Sequence, residues 1–91
     1  MVQRIAFRVH GSVQGVSYRY FTRKRAAECS ITGWVRNASG GTVQGEAQGS
    51  EDSLTSFFGY LERGPSMAVV EKLEREEIEV VKGEKGFQIR V

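Results

Sequence analysis

Apolar and polar positions alternate from the start of the chain. Ile5, Phe7 and Val9 stand between Arg4, Ala6 and Arg8, the period-two pattern of a strand with one buried face. That strand ends near His10. Gly11-Ser12-Val13-Gln14-Gly15-Val16 follows, and its two glycines predict a loop. A helix comes next, because Tyr18, Thr22, Ala26 and Cys29 recur at spacings of four, four and three while Arg23, Lys24 and Glu28 fall off that stripe. Residues 31–37 and 42–48 read as extended segments, and Ala38-Ser39-Gly40-Gly41 between them offers glycines for a hairpin turn with positive φ. Ser50 can cap a second helix, Glu51 and Asp52 suit the positive end of its dipole, and Leu54, Phe57, Phe58 and Leu61 form its apolar stripe. Gly64-Pro65 stops it.

Between 68 and 82 two tendencies compete. Ala68-Val69-Val70 and Ile78-Glu79-Val80-Val81 look extended, whereas the glutamate-rich middle suits a helix by propensity. Phe87, Ile89 and Val91 alternate again, so a last strand is expected to reach the C-terminus. The order is βαββαβ with room for one extra short strand. This is a ferredoxin-like α+β arrangement, with two helices covering one face of an antiparallel sheet.

At 91 residues, 40% hydrophobic and 26% charged, the chain has material for one layered core, and residues 1–91 are taken as a single domain. A lone cysteine, Cys29, forms no internal disulfide, and the start Met1-Val2-Gln3-Arg4 shows no apolar leader or membrane span. A cytoplasmic protein is expected. Charge is unevenly spread: residues 1–45 hold seven Arg and Lys against one acid, and residues 46–91 hold six against ten. A basic half suits a small anionic substrate or nucleic acid alike.

Gly11 to Arg19 carries the chemistry. A strand, a glycine loop and a helix with an arginine in its first turn can bring backbone N–H groups, a helix dipole and a guanidinium onto one phosphoryl group. Taken alone, such a loop is more often a plain turn with a surface arginine. In the Cys-x5-Arg loop of cysteine phosphatases a nucleophilic thiol precedes the arginine by six residues; here that position is Val13. Cys29 lies on the core stripe and reads as packing. His10 is the only histidine, no spacing offers three or four metal ligands, and the glutamates at 71, 74, 76, 77 and 79 read as a solvated face. Neither a metal nor a cofactor is expected.

Gly11-Ser12-Val13-Gln14-Gly15-Val16-Ser17-Tyr18-Arg19 resembles the acylphosphatase signature G-x-V-Q-G-V-x-F-R. Gly33-Trp34-Val35-Arg36-Asn37, followed by Gly41-Thr42-Val43, resembles its second signature, G-W-V-x-N-x-x-x-G-x-V. The likeness runs on through Gly49, Leu61, Gly64-Pro65 and Phe87-x-Ile89, so it covers essentially the whole chain. Tyr18 stands where the family usually has phenylalanine, and Cys29-Ser30-Ile31 where it usually has Leu-Gly-Leu.

The resemblance implies a hydrolase that cleaves the carboxyl-phosphate bond of acyl phosphates. It implies that backbone amides of Gln14, Gly15, Val16, Ser17, Tyr18 and Arg19 hold the phosphoryl oxygens, that Arg19 neutralises them, and that Asn37 holds the attacking water. Trp34 and Arg36 fall on the strand face opposite Val35 and Asn37 and are read as packing and solvent contact. The expected partner is a small acyl phosphate, with inorganic phosphate or sulfate as competing anions, and the expected state is a monomer. Nucleic acid and membranes are not expected partners. Two alternatives remain. One is an RNA-binding module, because Lys85-Gly86-Phe87-Gln88-Ile89-Arg90-Val91 resembles an RNA-recognition tract, although at the wrong place in the fold. The other is a regulatory domain without catalysis.

Overall fold

The computed structural model describes residues 1–15 and 17–91; Val16, one of the expected substrate-binding residues, lies outside the described residues. Strand β1 (Val2–Ser12) is followed by helix α1 (Tyr18–Glu28), β2 (Thr32–Asn37), a short 3₁₀ turn (Ser39–Gly41), β3 (Val43–Ser50), helix α2 (Glu51–Arg63), β4 (Val69–Ile78) and β5 (Phe87–Ile89). The sheet order is β4-β1-β3-β2-β5. Four strands pair antiparallel, as the sequence suggested, but the last strand, expected to be antiparallel and to reach the C-terminus, ends at Ile89 and pairs parallel to β2. That pairing continues past the strand, since Arg90 N–H donates to the Val35 carbonyl at 2.8 Å. Among the described residues no helix is long and apolar enough to cross a membrane.

The alternation of β1 places Phe7 and Val9 beneath the helices, level with Gly45 and Val43 on β3. From α2, Leu54, Phe57, Phe58 and Leu61 complete the core, with the Phe57 ring 6.1 Å from Phe7 and 5.9 Å from Phe87. Gly45 is glycine by necessity of space. A β-carbon there would lie 2.3 Å from the Trp34 carbonyl oxygen and 2.7 Å from the Phe7 ring.

The glutamate-rich stretch is a strand, not a helix. It pairs with β1 alone at the sheet edge, where Glu74, Glu76 and Glu77 stay in solvent while Val70 and Leu73 pack partly inward. Charged side chains on an edge strand discourage pairing with other chains. The register shift between His10 and Gly11 inserts one extra β4 residue, Glu71, as a bulge.

Arg4, set on the solvent side by the alternation, is only 2% exposed. The cause is topological. β4 and β5 occupy opposite edges, so residues 79–86 must cross the sheet face away from the helices. Four inter-strand spacings make about 19 Å, within reach of eight extended residues. The crossing chain lies over Arg4, whose guanidinium donates to Glu84 at 2.8 and 3.1 Å, to Glu46 at 2.9 Å and to Gln48 at 3.1 Å. Gln48 in turn exchanges two hydrogen bonds of 2.9 Å with the Val81 backbone.

Candidate active site

Asn37, Val43 and Val9 are level in the sheet register. The loop leaving β1 and the turn leaving β2 therefore emerge at the same end of the sheet, which brings two sequence-distant motifs together. Val13 is buried and anchors the loop. Gly15 takes φ 73°, a left-handed conformation that glycine adopts without strain. Ser17 follows in the same region, at φ 62° and ψ 24°.

The two helices begin differently. In α2 the Ser50 side chain accepts from Ser53 N–H at 3.1 Å, and Glu51 and Asp52 occupy the first turn. In α1, Ser17 makes no capping hydrogen bond and the first turn carries no acid. Among the described residues the first intrahelical bond is Phe21 N–H to the Ser17 carbonyl, at 3.0 Å. Earlier amides of the turn have no helical acceptor among the described residues, and they carry the positive end of the dipole. Arg19 adds a full positive charge there, and among the described residues no carboxylate pairs with it. A helix start that is uncapped, free of acids and supplied with an arginine favours a bound anion.

A cavity of about 250 Å³ opens at this end, lined by Val13, Gly15, Ser17, Tyr18, Arg19, Tyr20 and Asn37. Arg19 and Asn37 thus line one space. Asn37 is the last residue of β2 and is exposed. Two side chains of the expected loop do other work. The Tyr18 ring is buried and its hydroxyl donates to the Leu61 carbonyl at 2.6 Å. Gln14 lies outside the cavity lining; its carboxamide reaches the β2–β3 turn, donating to Ala38 O at 2.9 Å and Thr42 O at 2.8 Å.

Tyr20 escaped the sequence reading. It is exposed, lines the cavity and lies beneath the Arg23 guanidinium at 5.3 Å. Its one signal is its place off the apolar stripe in the first turn, beside Arg19. Cys29 packs against the core, and burial followed by the nearby Glu28 charge raises its thiol pKa, which leaves it a weak nucleophile. His10 is bound to Glu74 at 2.5 Å on the strand pair β1–β4, outside the cavity. That contact, with Lys72 nearby, holds the Glu74 carboxyl below its ordinary range. Among the described residues no three His, Cys, Asp or Glu side chains are grouped for a metal ion.

The family model described as Acylphosphatase matches residues 5–89. An acylphosphatase of Salinibacter ruber is 41% identical over 88 residues, covering 97% of this chain and 93% of the relative. The structure of an acylphosphatase from Coxiella burnetii aligns with a TM-score of 0.90 at 40% identity, over 98% of this chain and 93% of that one. The crystal structure of acylphosphatase from Bacillus subtilis aligns over the full length of both chains, with a TM-score of 0.93 at 32% identity. With its two motifs meeting at one cavity and its relatives matching from end to end, the chain belongs to the acylphosphatase family.

Proposed function

We propose that this enzyme hydrolyses acyl phosphates in the cavity between the start of α1 and the end of β2, through a phosphate-holding half and a water-holding half. The observation that carries the reading is the uncapped start of α1, with Arg19 facing the same cavity as Asn37. Backbone amides of the loop and first turn, from Gln14 to Arg19, bind the three non-bridging phosphoryl oxygens. The Arg19 guanidinium shares their charge in both ground and transition states. Asn37 orients a water for in-line attack. The water oxygen bonds to phosphorus as the bond to the acyl oxygen breaks, and the water's proton passes to solvent or to the phosphate formed.

Asn37 is no strong base, and the reaction does not require one. Phosphoryl transfer proceeds through a loose transition state, so positioning and electrostatics supply most of the acceleration. The leaving group is a carboxylate whose conjugate acid has a pKa of about 4, so it departs without a general acid at neutral pH. An alkyl phosphate needs that acid, which favours the mixed anhydride as substrate. Inorganic phosphate and sulfate, tetrahedral anions of the same charge pattern, are expected to compete. Turnover is expected to persist in excess chelator, because Arg19 and the amides supply the positive charge. A monomer is expected.

Two variants separate the halves. Arg19→Ala should weaken phosphate inhibition and lower turnover, because it removes a contact made before reaction begins. Asn37→Ala should lower kcat by about 100-fold while phosphate inhibition stays near the wild-type value. A folded Asn37→Ala protein with normal turnover removes Asn37 from the mechanism. A wild type that releases no phosphate from acetyl phosphate removes the activity itself and favours the regulatory alternative.

A further inference from the structure

Beyond its place in the loop, Gln14 has a side chain that the mechanism above leaves unused. Its carboxamide Nε2 donates to Ala38 O at 2.9 Å and to Thr42 O at 2.8 Å, across 24 and 28 residues of sequence. A primary amide has two N–H protons, and both are engaged. Their acceptors are the two ends of one turn, which Ala38 N–H closes by donating to the same Thr42 oxygen at 2.8 Å.

That turn is itself held from beneath. Thr42 is buried, its Oγ1 donates to Ser39 O at 2.8 Å, and the same Oγ1 accepts from Arg8 at 2.9 Å. Arg8 is fixed further by Gln44 Oε1 at 3.1 Å. Gln14 therefore grips a braced element rather than a loose one. Its neighbours Val13 and Gly15 line the cavity on the loop side, and Asn37, next to Ala38, lines it on the other. The carboxamide is a strut between the two halves of the site.

On the reading of this cavity as an acyl phosphate hydrolase, we infer that Gln14 is a positioning residue: its side chain sets the separation between the phosphate-holding loop and Asn37 without touching substrate. Two carbonyl acceptors call for a group with two donors, which the carboxamide supplies. A glutamate at this position repels both carbonyls when ionised and offers one donor when protonated.

The test compares kcat, KM and inhibition by inorganic phosphate in the wild type, Gln14→Ala, Gln14→Glu, Asn37→Ala and the double variant Gln14→Ala/Asn37→Ala, with acetyl phosphate as substrate. Gln14→Ala is expected to lower kcat by about 10-fold or more, the scale of a displaced reacting group, while phosphate inhibition changes little. Intact phosphate binding also shows that the loop is folded. Once Asn37 is gone, its alignment no longer matters, so the Gln14→Ala loss should largely vanish in the double variant. Gln14→Glu should be as impaired as Gln14→Ala at neutral pH and recover in part as pH falls through the carboxylate range, when one donor returns. Normal kcat in Gln14→Ala overturns the inference, as does a loss that multiplies fully with that of Asn37→Ala. A loss matched by equally weakened phosphate binding also overturns it, by making Gln14 part of the anion site alone. If the wild type itself releases no phosphate, the failure belongs to the proposed activity and not to the strut.

Discussion

Replacing Tyr18 by phenylalanine removes one oxygen from the core and leaves the ring in place, so the change reads a single hydrogen bond. The acceptor is what makes that bond matter. In an α-helix the Leu61 carbonyl would accept from residue 65, but residue 65 is proline and has no N–H. Leu61 is fully buried, and the Tyr18 hydroxyl reaches its oxygen at 2.6 Å. Without the hydroxyl that oxygen is left without this donor in a dry environment, a loss of about 1–3 kcal/mol. No cavity term adds to it. For a domain of this size each kcal/mol moves Tm by about 4–8 °C, so the variant should melt at least several degrees below the wild type.

Titration supplies an independent readout of the same bond. Burial pushes the Tyr18 phenol well above the ordinary tyrosine value. Its proton is therefore held more tightly in the folded than in the unfolded chain. The stability it contributes is present in full below pH of about 10 and is lost as pH rises above that, because the unfolded phenol ionises first. Tyr20 and Tyr60 are common to both proteins and cancel in the comparison. The stability gap between wild type and Tyr18→Phe, measured by urea denaturation, should be flat from neutral pH to about 9 and then narrow. A variant that melts with the wild type refutes the claim that Leu61 depends on this hydroxyl; a gap that persists unchanged at high pH refutes its assignment to the phenol.

Glu84→Gln keeps the shape of the Arg4 partner and removes its charge. The Arg4 guanidinium holds the Glu84 carboxyl below its usual range, so its contribution is present above the ordinary carboxylate value and lost as pH falls through the lower folded-state one. The variant should be less stable by about 1–3 kcal/mol at neutral pH and lose less stability on acidification, by urea denaturation across the acid range. Ser30, at φ 59°, occupies the left-handed position that ends α1, where Ile31 N–H donates back to Ala26 O at 2.8 Å. Ser30→Gly should raise stability by about 0.5–1 kcal/mol, the strain relieved less the entropy that glycine adds to the unfolded chain, and thermal denaturation will show it.

Periodicity makes the helix-facing side of the sheet legible in the sequence itself. Phe7, Val9, Val35, Leu54 and Phe57 each declare a buried face by spacing alone. It does not show what covers the other face, because that depends on which edges β4 and β5 occupy. Alternation therefore assigns Arg4 to solvent, although the crossing segment buries it against Glu84. The strand at 69–78 is ambiguous for a related reason: on an edge, charged residues can dominate both faces, and the alternation that marks a half-buried strand is diluted. Arg19 and Asn37 are legible because two motifs name them. Gln14 is legible only as backbone, since a side chain reaching Ala38 and Thr42 leaves no periodic trace.

The same sheet explains why an electrostatically unfavourable helix start can persist. Arg19 opposes the dipole of α1, a penalty of about 0.3–1 kcal/mol while no anion is bound, and the missing cap adds about 1 kcal/mol. Capped α2, with Ser50, Glu51 and Asp52 in their favoured places, gains energies of the same size. The Arg4 cluster lies at the other end of the sheet, level with Gln48 in the register, whereas Asn37 is level with Val43. Five strand residues separate those rows, roughly 17 Å. The Arg4 charge is satisfied internally at one end, and Arg19, with no carboxylate partner among the described residues, stands at the other, beside the cavity. On the proposed function, an anion entering there meets donors already in place, so little of its binding energy goes to organising the site, and the part that grows in the transition state is free to accelerate the reaction.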